Sequence, residues 1–165
     1  AVVNRTFGRL QIISSTWFAL THGANDGQKT MGIIVLILFS ADLISEIHMP
    51  LWVILAAASA MSLGTFFGGY KVIKTLGLRI TRLKPYQGFA AETGGGIMLA
   101  AFAILGIPAS TTHAITGSVM GAGAARRIRA VRWKVSRQII FSWVITIPGA
   151  AGLAIAFTYI IHLFV

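Results

Sequence analysis

The sequence predicts an all-α membrane protein made of spanning helices, one of them broken, together with a re-entrant helical hairpin. Three observations lead there. Of 165 residues, 56% are hydrophobic and 11% charged, with a mean hydropathy of +0.79, whereas soluble domains carry about 25% charged residues. A soluble fold of this length could not bury so much apolar surface, so lipid is the expected solvent. The long apolar runs are separated by two basic stretches. Two of those runs are also interrupted by polar segments rich in Gly or Pro, which lipid tolerates only where they are buried in protein or line a wet cavity.

The charge balance is lopsided. Asp26, Asp42, Glu46 and Glu92 are the four carboxylates against fourteen Lys and Arg, a net charge of +10. A nucleic-acid reader would not carry several apolar runs of about twenty residues, so nucleic acid is excluded as a partner. Basic loops facing a cytoplasm and anionic lipid headgroups explain the balance better. The absence of cysteine excludes disulfides, thiolate chemistry and Cys-based zinc sites. The chain opens on Ala1 without an initiator Met, so it is expected to be a fragment or a split chain, a single transmembrane repeat over residues 1–165.

Residues 10–39 are read as a first, broken helix, because thirty helical residues would run ~45 Å and the polar segment Gly23-Ala24-Asn25-Asp26-Gly27-Gln28-Lys29 interrupts them. Residues 41–50, with Asp42, Glu46 and His48, form an external loop, and residues 51–70 a plain spanning helix. The basic stretches, residues 71–84 and 126–137, hold eleven of the fourteen cations. By the positive-inside rule both face the cytoplasm. Residues 85–125 between them must then enter the membrane and return. The chain breaks at Gly106-Ile107-Pro108, and the arm from 112 to 125 is only ~21 Å long as helix, short of the ~30 Å hydrocarbon core. A re-entrant hairpin with its tip at Pro108-Ala109-Ser110-Thr111-Thr112 follows. Two tilted spanning helices are the competing reading. Residues 138–165 form a last helix, kinked near Pro148-Gly149.

Candidate chemistry sits at the two interruptions. Asp26 is a carboxylate inside a membrane segment, where charge is costly and marks function by default. Asn25 adds a carbonyl oxygen. An oxygen-rich site of this kind suits a small hard cation or a proton; pairing of Asp26 with Lys29 is the plainer alternative. Glu92 is the second intramembrane carboxylate, beside Gly94-Gly95-Gly96, whose small size serves close helix packing; a structural carboxyl held neutral by Thr93 or Gln87 is its plainer alternative. Ser110, Thr111 and Thr112 open the return arm, where free N–H groups and a positive dipole end could cradle an anion, or where the hydroxyls simply cap the helix. His113 reads as a packed residue, and Gly117-Ser118-Val119-Met120-Gly121 as a tight packing face.

Gly23-Ala24-Asn25-Asp26-Gly27-Gln28-Lys29-Thr30-Met31-Gly32 resembles the G-A-N-D signature of the inorganic phosphate transporter (PiT) family. Gln87-Gly88-Phe89-Ala90-Ala91-Glu92 resembles its Q-G-F-x-A-E segment, and Pro108-Ala109-Ser110-Thr111-Thr112-His113 with Gly117 its P-V-S-T-T-H-x-x-x-G hairpin. Ala109 departs from the usual Val. The resemblance spans residues 17–125 and is that of the C-terminal repeat of a bacterial member. It implies one half of an inverted-repeat transporter, completed by a first repeat outside this chain. It implies phosphate contacts at Ser110, Thr111, Thr112 and Asp26, and cation coupling, sodium or proton, at Asn25, Asp26 and Glu92, the same three residues being the sodium ligands if sodium is the ion. The expected activity is cation-coupled phosphate symport across the cell membrane by alternating access. Sulfate or metal–phosphate transport by the same fold, and an uncoupled anion channel, are the rivals. No enzymatic activity and no cofactor are expected, since no nucleophile–base pair or metal cluster is legible. The expected partners are phosphate, sodium or a proton, membrane lipids and the other repeat; homo-oligomer formation is left open.

Overall fold

A computed structural model describes residues 2–163, all of the long elements being helical. Ala1 and the last two residues of the expected 138–165 helix lie outside the described residues. Helix α1 runs from Val2 to Ser40, α2 from Leu51 to Lys74, α3 from Pro85 to Ile104, α4 from Thr111 to Ala124 and α5 from Trp133 to His162. A π-helical segment, Thr75–Ile80, extends α2, and a short 3-10 turn, Ile128–Ala130, precedes α5.

Helix α1 corrects the expected break. It is continuous through all 39 residues, which makes it ~58 Å long at the usual rise. The segment Gly23–Lys29 contains no proline, so no backbone N–H is lost, and its glycines keep negative φ. Asn25, Asp26 and Lys29 find partners on α3 or the hairpin tip without breaking the helix backbone. Asn25 Nδ2, for example, donates to Thr21 O at 2.9 Å and to Leu99 O of α3 at 3.0 Å.

Helices α1 and α3 run side by side in the same direction. Phe7 meets the rings of Tyr86 and Phe89, Ser14 meets Glu92, and Asn25 meets Leu99. Glycines make the approach possible. A Cβ at Gly96 would stand 2.6 Å from Trp17 Cδ1, and one at Gly95 would stand 3.1 Å from Phe18 Cε2. A Cβ at Gly88 would collide with the Gln11 amide. The expected packing role of this glycine group is therefore carried by Gly95 and Gly96, while Gly94 faces open space.

The α3–α4 hairpin turns where the sequence breaks. Gly106 takes φ +66°, with Ile107 N bonded to Phe102 O and Gly106 N to Ala103 O, the paired bonds of a Schellman cap. Ser110 then caps α4, its hydroxyl accepting from His113 N at 3.3 Å. At the other end, Gln87 Nε2 donates to Ala122 O at 3.0 Å and joins the start of α3 to the end of α4. The two basic stretches also meet at this end: Arg132 N donates to Ile80 O at 2.8 Å. Ile80, Ala91, Val119 and Val131 form a buried apolar cluster beside that bond. The hairpin thus begins and ends at the basic end of the molecule, and its tip reaches the middle of α1.

Among the described residues, Leu51–Tyr70 and Trp133–His162 are the helices long and apolar enough to cross a membrane. The first matches the expected 51–70 helix; α5 begins five residues before the expected 138 and continues through Pro148. Both present large apolar side chains outward, with Phe66 80% and Ile147 76% exposed. Apolar surface on this scale fits lipid as the surrounding medium.

Candidate functional site

The site assembles where the hairpin tip meets α1. His22, Asp26 and Lys29 fall on one face of α1, at i, i+4 and i+7. Asp26 stands at the centre. Its Oδ1 accepts from Lys29 Nζ at 2.9 Å. Its Oδ2 accepts from Thr111 Oγ1 at 2.9 Å, and His22 Nε2 lies 2.9 Å from the same oxygen. Lys29 also donates to the main-chain carbonyl of Ala109 at 2.6 Å. The carboxylate and the ammonium thus each tie α1 to the tip. An open pocket of about 400 Å³ lies over them, lined by Asp26, Lys29 and the run Pro108–Thr112.

The three hydroxyls of the tip differ in what they bond. Ser110 accepts the His113 N–H and holds the first turn of α4. Thr111 is 5% exposed and spends its proton on Asp26. Thr112 is exposed and lines the pocket. At the start of a helix the first N–H groups have no intrahelical acceptor, so the tip offers donors and the positive end of a dipole to whatever enters. The His113 side chain serves packing instead. Its ring lies 3.8 Å from that of Trp143 of α5, centroid to centroid.

Glu92 belongs to a second polar cluster. Its Oε2 accepts from Ser14 Oγ at 2.5 Å and its Oε1 from Gln11 Nε2 at 3.4 Å. Ser14 is 12 residues before Asp26 on α1, ~18 Å along the axis. The structure therefore brings Asp26 together with Ser110, Thr111 and Thr112, and sets Glu92 apart from them. Asn25 adjoins Asp26 but faces α3, 5% exposed, its amide committed to two main-chain carbonyls. It also lines a smaller pocket of about 200 Å³ with Gln28, Lys29 and residues 102–108 of the hairpin turn.

Sequence reasoning missed His22 and treated Lys29 only as a neighbour of Asp26. The spacing His22…Asp26…Lys29 was the available signal, since it puts all three on one helical face. It also missed Gln11 and Ser14, for which no signal existed, because their role depends on the pairing of α1 with α3. The expected packing of Gly117 and Gly121 is not met among the described residues: none of them lies within 4 Å of a Cβ at either position. It is Gly123 that packs closely, against Thr81.

The sequence profile of the phosphate transporter family matches residues 1–154. A probable low-affinity inorganic phosphate transporter of Rhizobium meliloti (strain 1021) is 53% identical over 150 residues, covering 90% of this chain and 45% of that protein. One of Bacillus subtilis (strain 168) is 38% identical over 164 residues, covering 99% of this chain and 49% of that protein. The chain thus spans about half the length of these curated relatives. Among solved structures, one described as the sodium-dependent phosphate transporter superposes with a TM-score of 0.77 at 34% identity, covering 88% of this chain and 37% of that one.

Proposed function

The chain belongs to the phosphate transporter family, and we propose that it supplies one half of a site that carries inorganic phosphate across the cell membrane with a coupling cation, by alternating access. The observation that carries this reading is the bond from Thr111 Oγ1 to Asp26 Oδ2 at 2.9 Å. It gathers the helix start, the tip hydroxyls and a carboxylate around one pocket. Phosphate would take the free N–H groups of the α4 start and the hydroxyls of Ser110, Thr111 and Thr112.

Asp26 contributes in a way that fits phosphate in particular. A carboxylate offers about four lone-pair positions. Lys29, Thr111 and His22 approach it, two of them at Oδ2 and one at Oδ1. The remaining position on Oδ1 can accept a proton from a protonated phosphate. Sulfate is fully ionised near neutral pH and has no proton to give, so the same group would repel it. On the cation side the reading draws on Asn25, Asp26 and Glu92; Asp26 already carries the Lys29 ammonium, so the mobile sodium or proton that offsets the anion charge is assigned to Glu92. The sodium-dependent neighbour and the neutral partners of Glu92, Ser14 Oγ and Gln11 Nε2, support it. The second half of the site comes from the other repeat, with one half rocking against the other around it.

The test is labelled phosphate uptake into proteoliposomes by the full-length protein. Asp26→Asn removes the ionised acceptor while keeping the shape. Uptake is expected to fall to the level of empty liposomes. Normal uptake by a folded Asp26→Asn protein would sink the assignment.

A further inference from the structure

We propose that Lys29 is a resident cation, its ammonium holding the place on Asp26 that a transported cation would otherwise take. The geometry is specific. Nζ lies 2.9 Å from Asp26 Oδ1 and 2.6 Å from the carbonyl oxygen of Ala109. One carboxylate oxygen and one main-chain carbonyl, brought together from a helix and a hairpin tip, are the kind of oxygen donors a hard cation seeks. Here both point at an ammonium that the chain itself provides. The other oxygen of Asp26 is taken up by Thr111 Oγ1 and by His22 Nε2, each at 2.9 Å. A free sodium ion would have to displace Nζ to reach this carboxylate, since two like charges cannot share one pair of oxygens without strong repulsion.

The consequence concerns ion number, and it rests on the phosphate reading for its cargo. A bound ion crosses with the anion and leaves with it. Lys29 is covalently tethered to α1, three residues from Asp26, so its charge remains in the site throughout. Lys29 therefore neutralises the Asp26 carboxylate, so that Asp26 does not repel the anion, without consuming a coupling ion there. Glu92 stands in contrast: its hydrogen-bonding partners are the neutral groups Ser14 Oγ and Gln11 Nε2, so it keeps an uncompensated charge for a mobile cation. Lys29 would thus be the residue that sets how many cations accompany each phosphate.

The decisive measurement is the number of radiolabelled sodium ions bound by the purified full-length protein in detergent. Lys29→Met keeps the apolar stem and removes the charge, and is expected to gain one sodium site per protein relative to the wild type. Lys29→Arg keeps the charge and is expected to bind the same number as the wild type. A folded Lys29→Met protein with no gain in sodium binding overturns the proposal. Should that variant fail to fold, Asp26→Asn decides: sodium binding is expected to stay at the wild-type number. Loss of a sodium site would show that Asp26 already holds a mobile ion, and would overturn the proposal too. Neither sodium count depends on phosphate. Wild-type protein that takes up no phosphate would therefore sink the transport reading and leave Lys29 to be judged on sodium alone. If both hold, phosphate uptake by Lys29→Met should become more steeply sodium-dependent than that of the wild type.

Discussion

The seam between α1 and α3 and the surface of α5 are both long helical surfaces, yet they are built for different surroundings. The seam is made of glycines set against aromatic rings, with Ser14, Gln11 and Asn25 bonding across it. Helix α5 presents mainly apolar side chains outward, and none of its most apolar stretch is buried. By length and composition it is α2 and α5 that qualify as membrane-crossing helices, while α1 and the hairpin, which hold every candidate site residue, do not. The helices that carry polar chemistry must dilute their hydropathy to do so. They recover stability from close contact with each other rather than from lipid.

That contrast can be tested by unfolding the full-length protein in detergent. The largest effect is expected from Gly96→Leu, whose first carbon would already stand 2.6 Å from Trp17 Cδ1. Overpacking of this kind should cost about 3 kcal/mol. Ser14→Ala removes the 2.5 Å donor to Glu92 and leaves the seam's shape intact. A lost hydrogen bond to a charged group should cost about 1.5 kcal/mol. The smallest effect is expected on α5: Gly152 has nothing within 4 Å of a built Cβ. Gly152→Ala should leave stability unchanged or raise it by up to about 1 kcal/mol through helix propensity. If Gly96→Leu proved no more costly than Gly152→Ala, the seam would be loose and the contrast between the two surfaces would be lost.

Much of this arrangement was legible in the sequence. The break at Gly106-Ile107-Pro108 located the hairpin turn, because a positive-φ glycine and a proline leave the chain few other conformations. The short return arm kept the tip inside the membrane, and the structure joins it to Asp26 through Thr111. The continuity of α1 was not legible. Whether a polar, glycine-containing segment unwinds depends on what its side chains find across the seam, and Leu99 O lies 74 residues from Asn25. The separate setting of Glu92 was hidden for the same reason, since Ser14 and Gln11 become its partners only when α1 and α3 pair in register. Lys29 was visible beside Asp26, but its second bond, to Ala109 O, exists only once the hairpin is folded.

The hairpin is fastened at both extremities. Gln87 Nε2 on Ala122 O clasps its base, while Thr111 and Lys29 stitch its tip to the middle of α1. A beam held at two points cannot flex at one of them alone. Any motion that uncovers the pocket while these bonds persist must carry α1 along with the hairpin, so helix and hairpin behave mechanically as a single lever. Freeing the tip alone would require breaking both of its stitches on α1.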